Sequence, residues 1–346
     1  MKGLIFAHVQ MSLPLSITII GAGAWSTAMA LHLARLDHKV ILLPRRKEQA
    51  EKLLAEDENK DYLPGYPFNG RLEIACSDRE AIEGADVVFM GAPSYAVREW
   101  GMRIRDIVTD MVSPPLFVSL AKGLELSSGK TPCELMEETL PGCPVGCLSG
   151  PTFASEVAAG RPTAMTLAVQ GNDELASKLQ EAASGPNLRL YLSKDLKGVE
   201  MGGCLKNVYA ISAGCCQGLG LGDNALAALL TRAMAEMPRV GIELGAEKET
   251  FLGLSGFGDL MATCHGDWSR NRTFGEEVAR GGKASDIISA QKTAVEGYRT
   301  AKAFYDQCVE KEIDAPILGE VYRILYEDKP PSRALEDLMN RDLRHE

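Results

Sequence analysis

The chain has 346 residues, which is longer than most single domains, so we expect two domains. Hydrophobic residues make up 45% of it and charged residues 24%, a composition that is typical of globular proteins and argues against disorder. The formal net charge of −10 argues against a general nucleic-acid-binding protein, which would need a basic surface. This charge is still compatible with a local basic pocket for an anionic ligand.

Residues 1–12 are interpreted as an N-terminal extension, with Met11 as an alternative start. The segment begins like a signal peptide, but His8 and Gln10 interrupt its apolar run. No apolar run reaches the roughly 18 residues that a membrane-spanning helix needs, so we expect no integral membrane contact.

The nine cysteines lack the spacing of a secreted disulfide framework or of a zinc site. Cys143 and Cys147, or the adjacent Cys215 and Cys216, could serve as metal ligands or as a redox pair. We favour reduced cysteines that behave as small apolar residues in a cytosolic protein. No metal site is therefore predicted.

Strands and helices are predicted to alternate through the first half of the chain. The segments SITII, KVILLP, ADVVFMGAP and LFVSLAKG are apolar runs typical of buried strands. Between them, WSTAMALHLARLDH, RKEQAEKLLAE and AVREWGMRIRDIV have helical spacing. We therefore predict an α/β fold with a Rossmann-type, mostly parallel, doubly wound sheet. Ligands bind such sheets beyond the carboxyl ends of the strands.

The first predicted strand leads into the loop GAGAWS (21–26), which approximates a dinucleotide-binding turn. In such a turn the first glycine makes the bend, the second admits the pyrophosphate, and the third lets helix and strand pack closely. Gly21 and Gly23 fit the first two positions. We expect them to bind the cofactor together with Ala24 and Trp25 at the helix N-terminus. Ser26 replaces the third glycine, which predicts looser packing without loss of binding.

Two arginines follow the second predicted strand, where an acidic residue would bind the ribose 2′-hydroxyl of NAD. The guanidinium groups of Arg45 and Arg46 suit a 2′-phosphate instead. We therefore predict that the protein uses NADP(H) in preference to NAD(H). The alternative is that both arginines are solvated surface residues.

The pattern changes near residue 197, where strands give way to long helical stretches such as GVEMGGCLKNVYAISAGCCQGLG. We predict a dinucleotide-binding domain over residues 13–196 and an all-helical substrate and catalytic domain over residues 197–346. The segments GGCLKN, LSGFGDLMATC and DWSRNR in the second domain combine glycines with polar side chains, which makes them candidate site segments.

Several blocks together resemble the bacterial-type NAD(P)-dependent glycerol-3-phosphate dehydrogenases. They are LSGPTFASEVAAGRPTA, GGCLKNVYAISAG, GLGLGDNALAALLTR, GLSGFGDLMATC, SRNRTFG and VEGYRTAK, and the similarity extends from the glycine loop to APILGEVYRILYE. The resemblance implies a cytosolic enzyme, usually a homodimer, that reduces dihydroxyacetone phosphate to sn-glycerol 3-phosphate for phospholipid synthesis. It implies NADP(H), NAD(H) or both as the cofactor. Ser26 departs from the glycine usual in this family.

The resemblance assigns catalytic roles to three residues. Lys206 matches the family's catalytic lysine, which would protonate the carbonyl oxygen as hydride adds to the ketone. A desolvated lysine beside other cations has a lowered pKa and can exchange this proton. Asp259 would orient Lys206 or bind a substrate hydroxyl, and Lys122 matches a lysine at the junction of substrate and cofactor.

The segment SRNR is implied to bind the substrate phosphate through Ser269, Arg270 and Asn271. These residues are predicted to open a helix, so N–H groups, the helix dipole and a guanidinium would converge on one anion. The alternative is that Ser269 or Asp267 is an ordinary helix N-cap.

The remaining implied contacts come from five segments of the chain. Substrate contacts are also implied for Gly150, Thr152 and Asn207. Cofactor contacts are implied for Lys122, Ala154, Arg270, Ala294 and Glu296, the last two in a segment that closes over the cofactor.

Two other functions remain as alternatives. A β-hydroxyacid dehydrogenase would carry G-x-x-x-K-x-x-x-N on its catalytic helix, but position 210 is alanine and Asn207 directly follows Lys206. A non-catalytic NADP-binding sensor would need no combination of Lys122, Lys206, Asp259 and Arg270. Both observations favour the glycerophosphate enzyme.

Overall fold

The computed structural model describes residues 14–266, 269–291, 294–343 and 345. The extension over residues 1–12 and the candidate N-cap Asp267 lie outside the described residues. Within the described ranges, no helix is both long enough and apolar enough to cross a membrane.

Eight strands form one sheet in the first part of the chain. Their bounds are β1 Ser16–Ile20, β2 Lys39–Leu43, β3 Glu73–Ile74, β4 Val87–Met90, β5 Leu116–Ser119, β6 Val145–Ser149, β7 Thr163–Val169 and β8 Leu188–Ser193. The strand order is β3-β2-β1-β4-β5-β6-β7-β8, and all neighbours are parallel except β6 and β7. The predicted Rossmann-type, mostly parallel sheet is confirmed.

Seven helices accompany this sheet. They are α1 Ala24–Ala34, α2 Lys47–Glu56, α3 Asp78–Ile82, α4 Val97–Thr109, α5 Pro132–Thr139, α6 Ala154–Ala158 and α7 Asp173–Ala183, and a 3-10 turn, Ser94–Ala96, precedes α4. Alternate residues of β4 enter different apolar clusters, because successive strand side chains point to opposite faces. Val87 and Phe89 pack with α1, whereas Val88 and Met90 pack with α4. Burial on both faces explains why VVFM is a continuous apolar run.

The rest of the described chain is helical. The helices are α8 Leu196–Gly218, α9 Asp223–Glu243, α10 Asp259–His265, α11 Arg270–Ala279, α12 Ala284–Ala290, α13 Glu296–Glu310, α14 Pro316–Tyr326 and α15 Pro331–Met339. A 3-10 helix, Lys248–Leu252, and a π-helix, Leu254–Gly258, precede α10. The sheet ends at Ser193 and α8 starts at Leu196, close to the domain boundary that we propose after residue 196.

Helix α8 is the centre of the helical part, and nearly all of its residues are buried. Gly202 allows this packing on one side, since a Cβ there would lie 2.9 Å from the carbonyl oxygen of Ser255 in the π-helix. Gly203 allows it on another side, since a Cβ there would lie 2.6 Å from Ser149 Oγ at the end of β6. The two glycines thus bring α8 against both the π-helix and the carboxyl edge of the sheet.

Candidate active site

The glycine loop joins β1 to α1 at the carboxyl edge of the sheet. Gly21 has a φ of +89°, a left-handed conformation that favours glycine. Gly23 is the N-cap of α1 and supplies no side-chain cap. A Cβ at Gly23 would meet no atom within 4 Å in the described part of the chain. The space beside the N-cap of α1 is therefore open, and a helix N-terminus next to open space suits an anionic group such as a pyrophosphate.

Ser26 packs against the loop after β4. Its side chain is 1% exposed, and its hydroxyl donates a hydrogen bond to the carbonyl of Gly91 at 3.2 Å. A Cβ at Gly91 would overlap the Ser26 hydroxyl, so the glycine provides the space that the serine fills. Ser26 therefore does not loosen the packing of α1 as the sequence predicted, because the missing glycine of the loop is compensated by Gly91, directly after β4.

Three charged side chains meet between the sheet and the helical part. Lys122 follows β5, Lys206 lies in the middle of α8, and Asp259 is the first residue of α10. Asp259 Oδ2 is 2.6 Å from Lys122 Nζ, and Asp259 Oδ1 is 2.9 Å from Lys206 Nζ. The structure therefore brings the three predicted catalytic residues into direct contact. We call them the catalytic cluster.

Burial and neighbouring charges shift the pKa values of Lys206 and Asp259. Loss of water lowers the pKa of Lys206, and Lys122 acts in the same direction, while Asp259 opposes both. Burial by itself would raise the pKa of Asp259, but the ammonium groups of Lys122 and Lys206 hold it below its usual value. The lowered pKa of Lys206 has the direction that the sequence predicted, and it suits a group that gives and takes a proton.

Thr263 is a member of the site that the sequence reasoning missed. Lys206 Nζ donates to Thr263 Oγ1 at 2.7 Å, and Thr263 Oγ1 donates to Asp259 Oδ1 at 3.3 Å. Its spacing could have identified it, because a residue four positions after Asp259 lies one helical turn away on the same face of the helix. Thr263 fixes one N–H direction of the Lys206 ammonium.

The loop after β6 supplies a further contact to Lys122. The carbonyl of Gly150 accepts a hydrogen bond from Lys122 Nζ at 2.9 Å and another from Thr152 Oγ1 at 3.2 Å. Gly150 has a φ of +151°, and a Cβ there would press on the backbone of Met165 and Ala164 at 3.0 and 3.1 Å. The glycine therefore lets this carbonyl turn towards Lys122.

A chain of side-chain amides runs from the catalytic cluster to the start of α13. Asn207 Nδ2 donates to the carbonyl of Lys122 at 3.1 Å, and Asn271 Nδ2 donates to Asn207 Oδ1 at 2.8 Å. Asn271 Oδ1 in turn accepts from the N–H of Gly297 at 3.0 Å. Both asparagines thus hold α8, α11 and α13 together beside Lys122.

Helix α11 begins next to this amide chain. Ser269 is its N-cap, and Ser269 Oγ accepts the N–H of Arg272 at 3.2 Å. The predicted helix start at SRNR is confirmed. The Ser269 hydroxyl acts as an ordinary N-cap in this structure, which was the alternative to a phosphate contact. The side chain of Arg270 is exposed, so its guanidinium is accessible to an anion from solvent.

Comparison with known proteins places this arrangement in a family. Residues 16–175 match the family model described as NAD-dependent glycerol-3-phosphate dehydrogenase N-terminus, and residues 195–336 match the corresponding C-terminus. The chain belongs to the NAD-dependent glycerol-3-phosphate dehydrogenase family. The resemblance read from the sequence is confirmed.

Individual relatives agree with this assignment. A glycerol-3-phosphate dehydrogenase [NAD(P)+] of Chlorobium limicola is 41% identical over 333 residues, covering 95% of this chain and 99% of the relative. One from Thiobacillus denitrificans is 42% identical, with 96% and 100% coverage. The crystal structure of a glycerol-3-phosphate dehydrogenase from Coxiella burnetii is 36% identical, with a TM-score of 0.89 and coverage of 95% and 99%.

The glycine loop fits the dinucleotide that the family name implies. Besides the open N-terminus of α1, Trp25 Nε1 is a buried donor without a hydrogen-bond partner among the described residues. Trp25 and Ala154, two predicted cofactor contacts, pack against the same apolar cluster, which also contains the buried apolar residues of α1. An unsatisfied donor beside an uncapped helix N-terminus is consistent with a site for a large polar ligand.

The other predicted cofactor contacts lie at two places. Arg45 and Arg46 follow β2 and are exposed, and the Arg45 guanidinium forms a long ion pair of 3.9 Å with Glu99. Ala294 and Glu296 lie at the start of α13, where Glu296 contacts Ser94 of the sheet domain. The structure therefore leaves the two arginines at the surface and places Glu296 against the dinucleotide-binding domain.

Proposed function

We propose that this protein catalyses the reversible NAD(P)H-dependent reduction of dihydroxyacetone phosphate to sn-glycerol 3-phosphate, in support of glycerophospholipid synthesis. The observation that carries this proposal is the buried catalytic cluster at the same sheet edge as the glycine loop. A sheet edge that binds a dinucleotide, next to a buried proton donor, is the arrangement that a dehydrogenase needs.

Lys206 is proposed as the acid that protonates the substrate oxygen. When bound, the reduced nicotinamide supplies a hydride to C2 of the ketone, which leaves negative charge on the oxygen. The Lys206 ammonium transfers a proton from Nζ to that oxygen, and its lowered pKa makes the transfer easier. In the reverse direction the neutral amine takes the proton back.

Asp259 and Lys122 are proposed to set the electrostatics of this step. Asp259 holds both ammonium groups in place, and its negative charge offsets part of the repulsion between them. Lys122 adds a second positive charge close to the oxygen that becomes an alkoxide, which stabilises the transition state in a site removed from water. The Gly150 carbonyl, which also accepts a hydrogen bond from Thr152, fixes one N–H direction of the Lys122 ammonium.

The substrate phosphate is proposed to bind at the start of α11. The helix N-terminus and the accessible guanidinium of Arg270 both favour a dianion. Within the described residues the Asn271 amide donates one hydrogen bond, to Asn207, so its second hydrogen can donate to the substrate. Ser269 and Asn207 would act mainly by holding this segment in position.

Three finer features of the function are part of the proposal. Arg45 and Arg46 favour NADP(H) over NAD(H), because exposed guanidinium groups after β2 can pair with a 2′-phosphate. The functional unit is proposed to be a homodimer. The proposed site of action is the cytoplasm, which the nine free cysteines of the chain support.

The proposal is tested by following the loss of NADPH absorbance with purified protein and dihydroxyacetone phosphate. We expect turnover with this ketone and none with β-hydroxyacid substrates supplied with NADP⁺. Turnover of a β-hydroxyacid alone would assign the protein to that other dehydrogenase class. Cofactor binding without turnover of any of these substrates would make it a sensor.

A further inference from the structure

An asparagine from outside the glycine loop holds the backbone of the loop. Asn59 follows α2, and only 2% of it is exposed. Its Nδ2 donates to the carbonyl of Ala22, inside the loop, at 3.0 Å. The same nitrogen donates to Thr27 Oγ1, near the start of α1, at 2.7 Å. One side-chain amide therefore fixes the loop and the helix that follows it relative to each other.

The donors and acceptors around this amide are matched. The two hydrogens of Asn59 Nδ2 go to Ala22 and Thr27, and the Thr27 hydroxyl in turn donates to the carbonyl of Gly23 at 2.9 Å. Gln49 of α2 gives the Ala22 carbonyl a second donor, with Nε2 at a distance of 3.3 Å. A carbonyl oxygen accepts two hydrogen bonds, so this acceptor is fully used. Turning the Ala22 carbonyl would break both bonds at once.

The local fold explains why Asn59 reaches the loop. Helix α2 ends at Glu56, and Asp57 has a φ of +49°, so the chain turns back after the helix. The N–H of Leu63 then donates to the carbonyl of Asn59 at 2.8 Å. Leu63 and Phe68 are buried in the apolar cluster that also contains residues of α1. The packing of this segment against α1 therefore keeps the Asn59 amide in place.

This contact sets the direction of the peptide between Ala22 and Gly23. Among the described residues no peptide bond is cis, and in a trans peptide the C=O and the N–H point in opposite directions. Because the Ala22 carbonyl faces Asn59 and Gln49, the N–H of Gly23 points away from them. The space beside Gly23 is open, since a Cβ there would meet no described atom within 4 Å. A peptide turned the other way would offer a carbonyl oxygen, which repels an anion.

We propose that Asn59 is a positioning residue for the dinucleotide. By holding the Ala22 carbonyl back, it presents the N–H of Gly23 and the N-terminus of α1 to the pyrophosphate. Gln49 supports the same orientation. Donors that are oriented before the ligand arrives need no reorganisation on binding, which favours affinity. The inference rests on the proposed function, because it takes the glycine loop as the site of the pyrophosphate.

The test compares ligands with and without a pyrophosphate in Asn59→Ala. The Kd for NADPH is measured by fluorescence titration, and the Kd values for ADP-ribose and adenosine by displacement of NADPH. We expect roughly tenfold weaker binding of NADPH and ADP-ribose, as for a lost hydrogen bond to a charged group. Adenosine, which has no phosphate, should bind as it does to the wild type. The kcat at saturating NADPH should also stay close to the wild-type value, because the catalytic cluster is unchanged.

A second variant tests the same carbonyl from α2. Gln49→Ala removes the longer of the two hydrogen bonds to Ala22 and should weaken NADPH binding by roughly threefold, as for a neutral hydrogen bond. Gln180→Ala is its matched control, since Gln180 Nε2 also donates to a backbone carbonyl, that of Leu190 in β8 at the far edge of the sheet. The control should leave the Kd for NADPH unchanged.

Loss of stability needs a control of its own. Asn172 caps α7 by accepting the N–H of Leu175, so Asn172→Ala should lower Tm. It should do so without changing the Kd for NADPH, which separates a less stable domain from a misdirected peptide. Combining Asn59→Ala with Gln49→Ala should weaken NADPH binding by more than the product of the single effects, because the Ala22 carbonyl then loses both donors.

Wild-type Kd values for NADPH in both Asn59→Ala and Gln49→Ala would overturn the positioning role. Equal losses for ADP-ribose and adenosine would overturn it too, since they would show general damage to the domain. If Asn59→Ala does not fold, the comparison of Gln49→Ala with Gln180→Ala decides. If the wild type binds NADPH but does not turn over dihydroxyacetone phosphate, the proposed reaction fails, while the role of Asn59 is still judged by the Kd values. If it binds neither NADPH nor NADH, both proposals fail.

Discussion

Asp259 Oδ1 lies 2.9 Å from Lys206 Nζ, and the side chains of these two residues are only 3% and 10% exposed. A buried ion pair of this kind costs free energy of desolvation and is weak evidence for stability. The same burial lowers the pKa of Lys206, which is a useful property for an acid catalyst. We therefore interpret the pair as part of the proposed proton transfer and not as a source of stability.

Replacing Lys206 by methionine keeps most of the side-chain volume and removes the proton donor. We expect Lys206→Met to lower kcat for dihydroxyacetone phosphate by roughly 10²–10⁴-fold, the usual contribution of a positioned general acid. The Kd for NADPH should stay close to that of the wild type, measured by fluorescence titration. Turnover near the wild-type rate would exclude Lys206 as the acid.

Asp259 should set the pH above which kcat for the reduction decreases. The reduction needs a protonated Lys206, so kcat falls as the pH rises through the pKa of this residue. The Asp259 carboxylate raises that pKa, and therefore Asp259→Asn should move the alkaline limb of the kcat profile to lower pH. Thr263→Val removes an uncharged partner and should move the limb less. If the alkaline limb does not move in Asp259→Asn, the limb reports the titration of a group other than Lys206.

Arg270 should act mainly on substrate binding. Arg270→Ala removes the guanidinium at the start of α11, and we expect KM for dihydroxyacetone phosphate to rise by roughly tenfold or more, as for a lost charged hydrogen bond. Arg280→Ala at the other end of the same helix is the control, since its exposed side chain pairs with Glu276 instead. Equal KM values in the two variants would place the phosphate elsewhere.

Regular elements were predictable from the sequence because their signals are local. The apolar run VVFM is buried on both sheet faces, and the glycine loop lies between a strand and a helix, as its pattern indicated. The contact between Ser26 and Gly91 was not predictable, because the two residues are 65 positions apart and the compensating glycine has no motif of its own. The hydrogen bonds between Ser94 and Glu296 span 202 positions and depend on how the two domains pack.

The candidate active site contains residues that the sequence predicted and one that it did not. Family motifs identified Lys122, Lys206 and Asp259 individually, but no pattern in the sequence predicted the distances between them. Thr263 was missed although its spacing from Asp259 is a simple helical turn, because a threonine in a helix is usually a neutral residue. Its role depends on the Lys206 ammonium, which comes from another helix.

Cofactor preference should depend on the residues after β2. Arg46→Ala and Arg45→Ala should each lower kcat/KM for NADPH by roughly tenfold, the effect of losing a charged hydrogen bond to a phosphate, and leave kcat/KM for NADH nearly unchanged. Arg71→Ala removes another exposed arginine from the same domain and should change neither value. Equal losses with both cofactors, or a wild-type enzyme that strongly prefers NADH, would contradict a 2′-phosphate contact.

The fit between Ser26 and Gly91 predicts a small effect for one substitution and a large effect for another. Ser26→Gly removes one hydrogen bond and a small buried group, so the Kd for NADPH should change by no more than a few fold. Gly91→Ala places a methyl group where the Ser26 hydroxyl lies and should lower Tm and weaken NADPH binding, because α1 must shift away from β4. Combining the two substitutions should restore both properties, since glycine at position 26 vacates the space that alanine at position 91 needs. A large gain in NADPH affinity on Ser26→Gly alone would show instead that the serine impairs the loop.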